Sequence, residues 1–234
     1  MAEEIDFETF LSITDNKLEI FLFDKKNLKN LYKDELKLEN NFDLKDTKNL
    51  SQFLDNNIFK IEKLAGKFIK NIYLIIENDQ NLQLSICIKK KNYDNLVNKK
   101  NLENTLTEVK DLFKETYQEQ IIMHMIISNY LINGKNYFSF VDNLRSDYLC
   151  LEVKFMSISN HTALAFDKIL EKYQIKIKQY LNANYIKNFI KEEKIEITEM
   201  AFKLKNGFNE NEVILVPKNT ENKGFFEKFF QLFS

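Results

Sequence analysis

Phe10-Leu-Ser-Ile-Thr-Asp-Asn-Lys-Leu-Glu-Ile-Phe-Leu-Phe23 is the stretch whose reading decides the fold. Two apolar, strand-like runs at 10–14 and 18–23 flank Asp15-Asn16-Lys17, and Asp and Asn tolerate the backbone of a tight turn. The pattern predicts a β-hairpin. Working outward, a third strand is expected near 31–38. From 47 to 65, Leu50, Phe53, Leu54, Ile58, Ile61, Leu64 and Ala65 recur at helical spacing, with Gly66 as a stop. Asn71-Ile-Tyr-Leu-Ile-Ile-Glu77 then reads as a short buried strand. Strands, a helix and a further strand make residues 1–78 a layered α/β unit.

The next block has another rhythm. Leu82-Gln-Leu-Ser-Ile-Cys-Ile88 alternates as a half-buried strand, and Leu102, Leu106, Val109, Phe113 and Tyr117 mark one face of a helix. Strands follow at 121–132, with a turn at Asn133-Gly134, and at 148–158. A short helix carrying Ala163, Leu164, Ile169, Leu170 and Tyr173 leads to an alternating strand at 175–180. Residues 79–181 are therefore expected to form one compact α+β module. Between 182 and 217 one or two short helices and an edge strand at Val213-Ile-Leu-Val216 are expected, the latter ending at the only proline.

At 44% apolar residues the chain has material for a real core, and a net charge of −1 gives no concentration of positive charge for nucleic acid. Arg145 is the only Arg among 34 basic residues, a bias of genome composition more than of ligand. Cys87 and Cys150 lie in apolar runs, too few for a disulfide framework, and read as buried free thiols of a reducing compartment. The acidic start, Met1-Ala-Glu-Glu-Ile-Asp6, contains no apolar core of a signal peptide. No run of eighteen apolar residues occurs.

The far end stands apart. Residues 218–224 are a polar, Gly-ended linker, and five of the 21 Phe fall in the last ten positions. On a helix, Phe225, Phe226, Phe229, Phe230, Leu232 and Phe233 share an arc of about 160°, opposite Lys223, Glu227, Lys228, Gln231 and Ser234. Such a segment is too short to span a bilayer and has the pattern of a helix lying in the headgroup plane, with Lys223 and Lys228 at its polar edge. Half-burying six apolar side chains is worth on the order of 5 kcal/mol before the cost of ordering the helix, so single tails hold weakly and clustered tails hold firmly. The chain's own domain and a partner's groove are the other coverings such a face admits.

Several motifs, taken in order, resemble the bacterial cell-division family FtsA, actin-like membrane adaptors with an inserted strand-helix-strand-strand (SHS2) subdomain. Leu64-Ala-Gly66 followed by Ile69-Lys-Asn-Ile-Tyr-Leu-Ile-Ile76 is similar to that family's helix, Ala-Gly pair and strand. His124-Met-Ile-Ile-Ser-Asn-Tyr130 resembles its His-x-Ile-Pro-x-x-Tyr strand, with Ile127 in place of Pro. Leu151-Glu-Val-Lys-Phe-Met-Ser-Ile158 and the Phe-rich end complete the likeness. The resemblance implies an α+β fold: a truncated actin-like (ribonuclease H-like) lobe at 1–78, an SHS2-like subdomain at 79–181, an extension at 182–217, a linker at 218–224 and a membrane-targeting amphipathic helix at 225–234. It further implies peripheral attachment to the cytoplasmic side of the membrane, contacts with other division proteins, FtsZ or later ones among them, and self-association.

The departures are as informative. Actin-like ATPases carry Asp-x-Gly-Thr-Thr-Lys on the first hairpin. The aligned Ser12-Ile-Thr-Asp-Asn-Lys17 keeps only Lys17. With four Gly in the chain (Gly66, Gly134, Gly207 and Gly224), Gly-rich phosphate turns cannot be assembled, and no second phosphate loop follows Asn182. The reading is therefore of a non-enzyme without cofactor or metal. A residual ATP-binding protein and an SHS2-type module whose tail enters a partner groove are its alternatives. His124 within an apolar strand and His161 at a helix start read as structural, as do the acidic pairs Glu3-Glu4 and Glu192-Glu193. Lys89-Lys-Lys91 and Lys99-Lys100 read as solvated loops.

Overall fold

The computed structural model describes residues 6–44, 47–77, 81–190 and 195–214. The linker and the Phe-rich end lie outside the described residues, as do Glu3-Glu4 and Glu192-Glu193. The chain divides into two compact units, one formed by its first part together with Asn160–Asn206, the other by Asn81–Ser159 with the segment from Gly207.

β1 (Phe7–Thr14) and β2 (Lys17–Asp24) form the hairpin, with Thr14 opposite Lys17 across a two-residue turn. β3 (Lys29–Lys37) continues the antiparallel meander. α1 (Lys48–Ala65) buries Leu50, Phe53, Leu54, Ile58 and Ile61, the helical-period positions, and stops at Gly66, whose φ of 69° is the left-handed cap that only glycine adopts freely. The crossover through α1 delivers β4 (Asn71–Ile76) parallel to β1, Phe10 facing Tyr73.

The chain then builds the second unit. β5 (Leu82–Leu96) runs on past the expected strand end, so Lys89-Lys-Lys91 lies within a strand and not in a loop. Alternation continues there because every second residue faces solvent, where a lysine costs nothing. α2 (Lys99–Thr116) is capped by the Asn98 side chain, which accepts from the Asn101 amide at 2.9 Å. β6 (Gln120–Ile132) turns through Asn133 and Gly134, both at positive φ, into the short β7 (Lys135–Tyr137). This is the backbone a two-residue primed turn requires. β8 (Arg145–Ser159) pairs antiparallel with both β5 and β6, giving the order β5-β8-β6-β7. Leu102, Leu106, Val109 and Phe113 of α2 pack onto Met125, Ile127, Tyr130, Leu151, Val153 and Phe155 of that sheet.

α3 (Asn160–Glu171) and β9 (Lys176–Asn182) depart from expectation. Both fall within the 79–181 range expected to form one module, yet β9 pairs parallel with β4 and closes the first sheet as β3-β2-β1-β4-β9. Their alternation and helical period were legible, but partner choice is long-range and leaves no mark in local pattern. With β1, β4 and β9 parallel and β2 reversed, the sheet has the ribonuclease H-like order of an actin-like lobe. α4 (Ala183–Lys187) and α5 (Ile197–Lys205) complete that unit. Adjacent residues of β2 and β3 show that both sheet faces are covered: Phe23 meets Phe202 of α5 at 5.3 Å between ring centroids, while Tyr32, opposite Leu22, bonds Asn57 of α1. Double coverage explains the almost unbroken burial of β1, β2 and β4.

Of the expected edge strand at 213–216, Val213 and Ile214 are described: Glu212 just before them bridges Ile126 in antiparallel sense, and the Val213 amide donates to the Met125 carbonyl at 2.8 Å. Residues from 215 lie outside the described residues. Phe155 is fully buried and stacks on Phe113 at 4.5 Å. Phe155→Ala is expected to cost about 3–5 kcal/mol, read as a lowered urea midpoint by far-UV circular dichroism; a loss under about 1 kcal/mol would contradict this packing.

Candidate functional site

In an actin-like lobe the first hairpin holds the phosphates, so its surroundings are the natural place to look for chemistry. Here the hairpin borders a cavity of about 510 Å³, floored by Ser12 and Thr14 and completed by residues of α4 and α5. Its turn is tied down: the Asn16 and Asp15 carbonyls accept from the Leu38 and Phe42 amides at 2.8 and 2.6 Å. Thr14 Oγ1 donates to the Lys17 carbonyl at 3.2 Å, holding the turn closed from within.

Charge decides what the cavity can accept. Lys17, Lys33 and Lys187 line it, and so do Glu19, Glu77 and Glu196. Each cation has a carboxylate: Lys17 Nζ lies 2.9 Å from Glu19, Lys33 Nζ 3.3 Å from Glu196 and 3.8 Å from Glu19, and Lys187 Nζ 2.8 Å from Glu77. Lys17, the one position kept from the phosphate-loop pattern, is thus held by a glutamate two residues along the same strand face. A phosphate bound by these lysines would have to displace the ion pairs they already make. No cluster of three or more metal-ligating side chains exists among the described residues. Among the described residues, the three lysines and three glutamates that line the cavity balance in charge.

Elsewhere, His124 is buried with Nδ1 2.6 Å from Glu212 Oε1, a paired histidine inside the second unit. His161 is exposed at the start of α3. Lys90 pairs with Glu108, and Lys89 Nζ sits 4.2 Å over the Tyr148 ring. The two cysteines correct the expectation of buried thiols: Cys87 is exposed and Cys150 half-buried, with their Sγ atoms 2.9 Å apart on neighbouring strands. Their strands are apolar on one face only, and both thiols fall on the other. Partial burial first, then the Cys87 thiol, pushes Cys150 up to about 11.

The predicted membrane-contacting residues, Phe225, Phe226, Phe229, Phe230, Leu232, Phe233, Lys223 and Lys228, lie outside the described residues. Sequence reasoning missed the ion-pair cluster, since Lys33, Lys187 and Glu196 come from separate elements. The one local signal was Lys17 and Glu19, which share a strand face.

No family model matches the chain, and no curated protein does. Among solved structures it is similar to the PilM-PilN type IV pilus biogenesis complex, at 10% identity and a TM-score of 0.48 over 76% of this chain and 48% of that one. It is also similar to the cytoplasmic domain of EpsL, an inner membrane component of the type II secretion system of Vibrio cholerae, at 5% identity and 0.37 over 77% and 59%. A Bacteroides thetaiotaomicron protein with an actin-like ATPase fold matches at 12% identity and 0.32 over 80% and 56%. The chain spans about half the length of these structures. Likeness at this level adds nothing to what the strand order itself establishes.

Glu19→Gln leaves Lys17 and Lys33 facing a neutral amide. Because both lysines keep partial solvent access, the expected loss is about 1–2 kcal/mol of unfolding free energy, checked by urea titration. In the reduced protein at pH 8, Cys150 should alkylate about tenfold more slowly than an ordinary thiol, the hundredfold deficit of thiolate being partly offset by its greater nucleophilicity. Its rate should climb until the pH passes about 11, followed by mass spectrometry of iodoacetamide adducts.

Proposed function

We propose that this chain is a non-enzymatic adaptor that attaches to the inner face of the cytoplasmic membrane through its Phe-rich end and gathers protein partners. The observation that carries the non-enzymatic part is the cavity at the first hairpin, where glutamates hold every lysine that a phosphate would need. An actin-like lobe with that cavity neutralised retains a folded body but no means of polarising a phosphoanhydride. Attachment rests on the segregation of six apolar side chains at 225–233, since among the described residues no helix is long and apolar enough to cross a membrane.

Bacterial cell division is the finer part of the proposal. It rests on the resemblance to FtsA, in which the inserted strand-helix-strand-strand subdomain meets partners and neighbouring copies. The second unit, with its β5-α2-β6-β7-β8 order, is the corresponding body for such contacts here. Mass action supplies the mechanism: a tail that holds weakly alone holds firmly when partners bring several bodies together.

On neutral phosphatidylcholine vesicles, where aromatic burial is the main attraction, the intact chain should float and a chain ended after Asn222 should not. Equal flotation of the two removes the membrane reading. Equilibrium dialysis with labelled ATP and magnesium should show no binding, and Mg-dependent retention would restore the nucleotide-binding alternative.

A further inference from the structure

The second sheet carries a chemical group that the adaptor reading does not use. α2 covers one face of that sheet, where Leu84, Ile86 and Ile88 of β5 join Leu151 and Val153 of β8. Side chains alternate along a strand, so Cys87 and Cys150 fall on the other face, Cys87 exposed and Cys150 half-buried. Their Sγ atoms are 2.9 Å apart. In register Cys87 stands opposite Glu152 and Cys150 opposite Lys89, which makes the two thiols diagonal neighbours across one antiparallel pair. Cys150 also has Leu131 of β6 opposite it on its other side, whereas Cys87 lies on the edge strand of the sheet.

A disulfide bond is about 2 Å long, so closure needs only a small further approach of sulfurs that already meet. The backbone decides how firmly such a bond would hold. Diagonal neighbours on paired strands have Cα atoms about 7–8 Å apart, against the roughly 4.4–6.8 Å that an ordinary disulfide spans. β5 supplies the adjustment, because in the order β5-β8-β6-β7 it is tied to β8 alone and shifts without disturbing a second ladder. A solvent-facing bond that needs such a shift is readily reduced again, unlike a buried structural staple.

We propose that Cys87 and Cys150 are a reversible dithiol–disulfide switch, closed by small disulfides of the glutathione class and reopened by the corresponding thiols. Cys87 gives its proton to solvent, and its thiolate attacks one sulfur of the small disulfide, forming a mixed disulfide and releasing one small thiolate, which takes up a proton. Cys150 then loses its proton, its Sγ attacks Cys87 Sγ, and the second small thiolate leaves and is protonated in turn. In balance the protein gives up two electrons and two protons, and one small disulfide becomes two thiols. Cys87 acts first because it is exposed, while burial raises the Cys150 thiol. Nearness to Cys87 then brings Cys150 into play as an intramolecular attacker. The closed bond joins the ends of the segment that holds α2, β6 and β7, fastening the edge strand to its neighbour and restricting the unfolded chain. The switch is independent of how the chain meets a membrane.

The test uses the full-length chain, reduced and then equilibrated under native conditions with mixtures of oxidised and reduced glutathione. As the oxidised share rises, intact mass spectrometry should show a monomer lighter by two hydrogen atoms, and a non-reducing peptide map should join the Cys87 and Cys150 peptides. Cys150→Ser should instead hold glutathione on Cys87, and Cys87→Ser should take it up about tenfold more slowly. The closed chain should unfold at higher urea than the open one, and excess reduced glutathione should reopen it without urea. The proposal is overturned if the parent stops at a glutathione adduct or at a dimer linked through Cys87. It also fails if the closed chain unfolds at the same or lower urea, since the bond then does not fit the native register, or if reopening requires unfolding.

Discussion

Parallel pairing of β4 with β1 on one side and with β9 on the other is the constraint from which the first unit follows. Parallel neighbours need long crossovers, so the chain must pass through α1 before β4 and through α3 before β9, and those helices cover one sheet face. α5 covers the other. The Asn81–Ser159 part of the second unit sits in sequence between β4 and α3, an insertion that the sheet tolerates because both ends of the excursion are tied to adjacent strands. The same pairing gathers three strand starts at one edge and the hairpin turn at the opposite one, which sets where the two charged surfaces lie.

These two surfaces are built from the same residue types. Around the hairpin, three lysines and three glutamates among the described residues meet at ion-pair distance. At the other edge, Lys25 holds Asp6, Lys205 holds Glu8, Lys67 and Lys178 lie over aromatic rings, and an exposed Phe stands beside them.

Local pattern made most elements legible, and the reason is their strong periodicity: the α1 and α2 stripes, the β5 alternation and the Asn133-Gly134 turn each depend on neighbours within a few residues. The α+β class and the lost phosphate loop were equally plain, the latter because Gly cannot be replaced where backbone must approach phosphate. Cys87 and Cys150 were misread because their runs are apolar in composition while the thiols fall on the half of the alternation that faces solvent. α3 and β9 were grouped with the wrong module because a strand's partner is selected by contacts far along the chain.

By itself, then, the amino-acid order determined most of the strands and helices and the amphipathic pattern of the Phe-rich end, both matters of spacing within one segment. Only the tertiary structure decided that β9 joins β4, that Glu77, Glu196 and Lys187 converge on the hairpin, and that Phe68 is held outward among Lys25, Lys67, Lys70 and Lys178. Those groups come from separate elements, and what assembles them is the burial of a sheet on both faces, a requirement that acts between distant parts of the chain and leaves no local period to read.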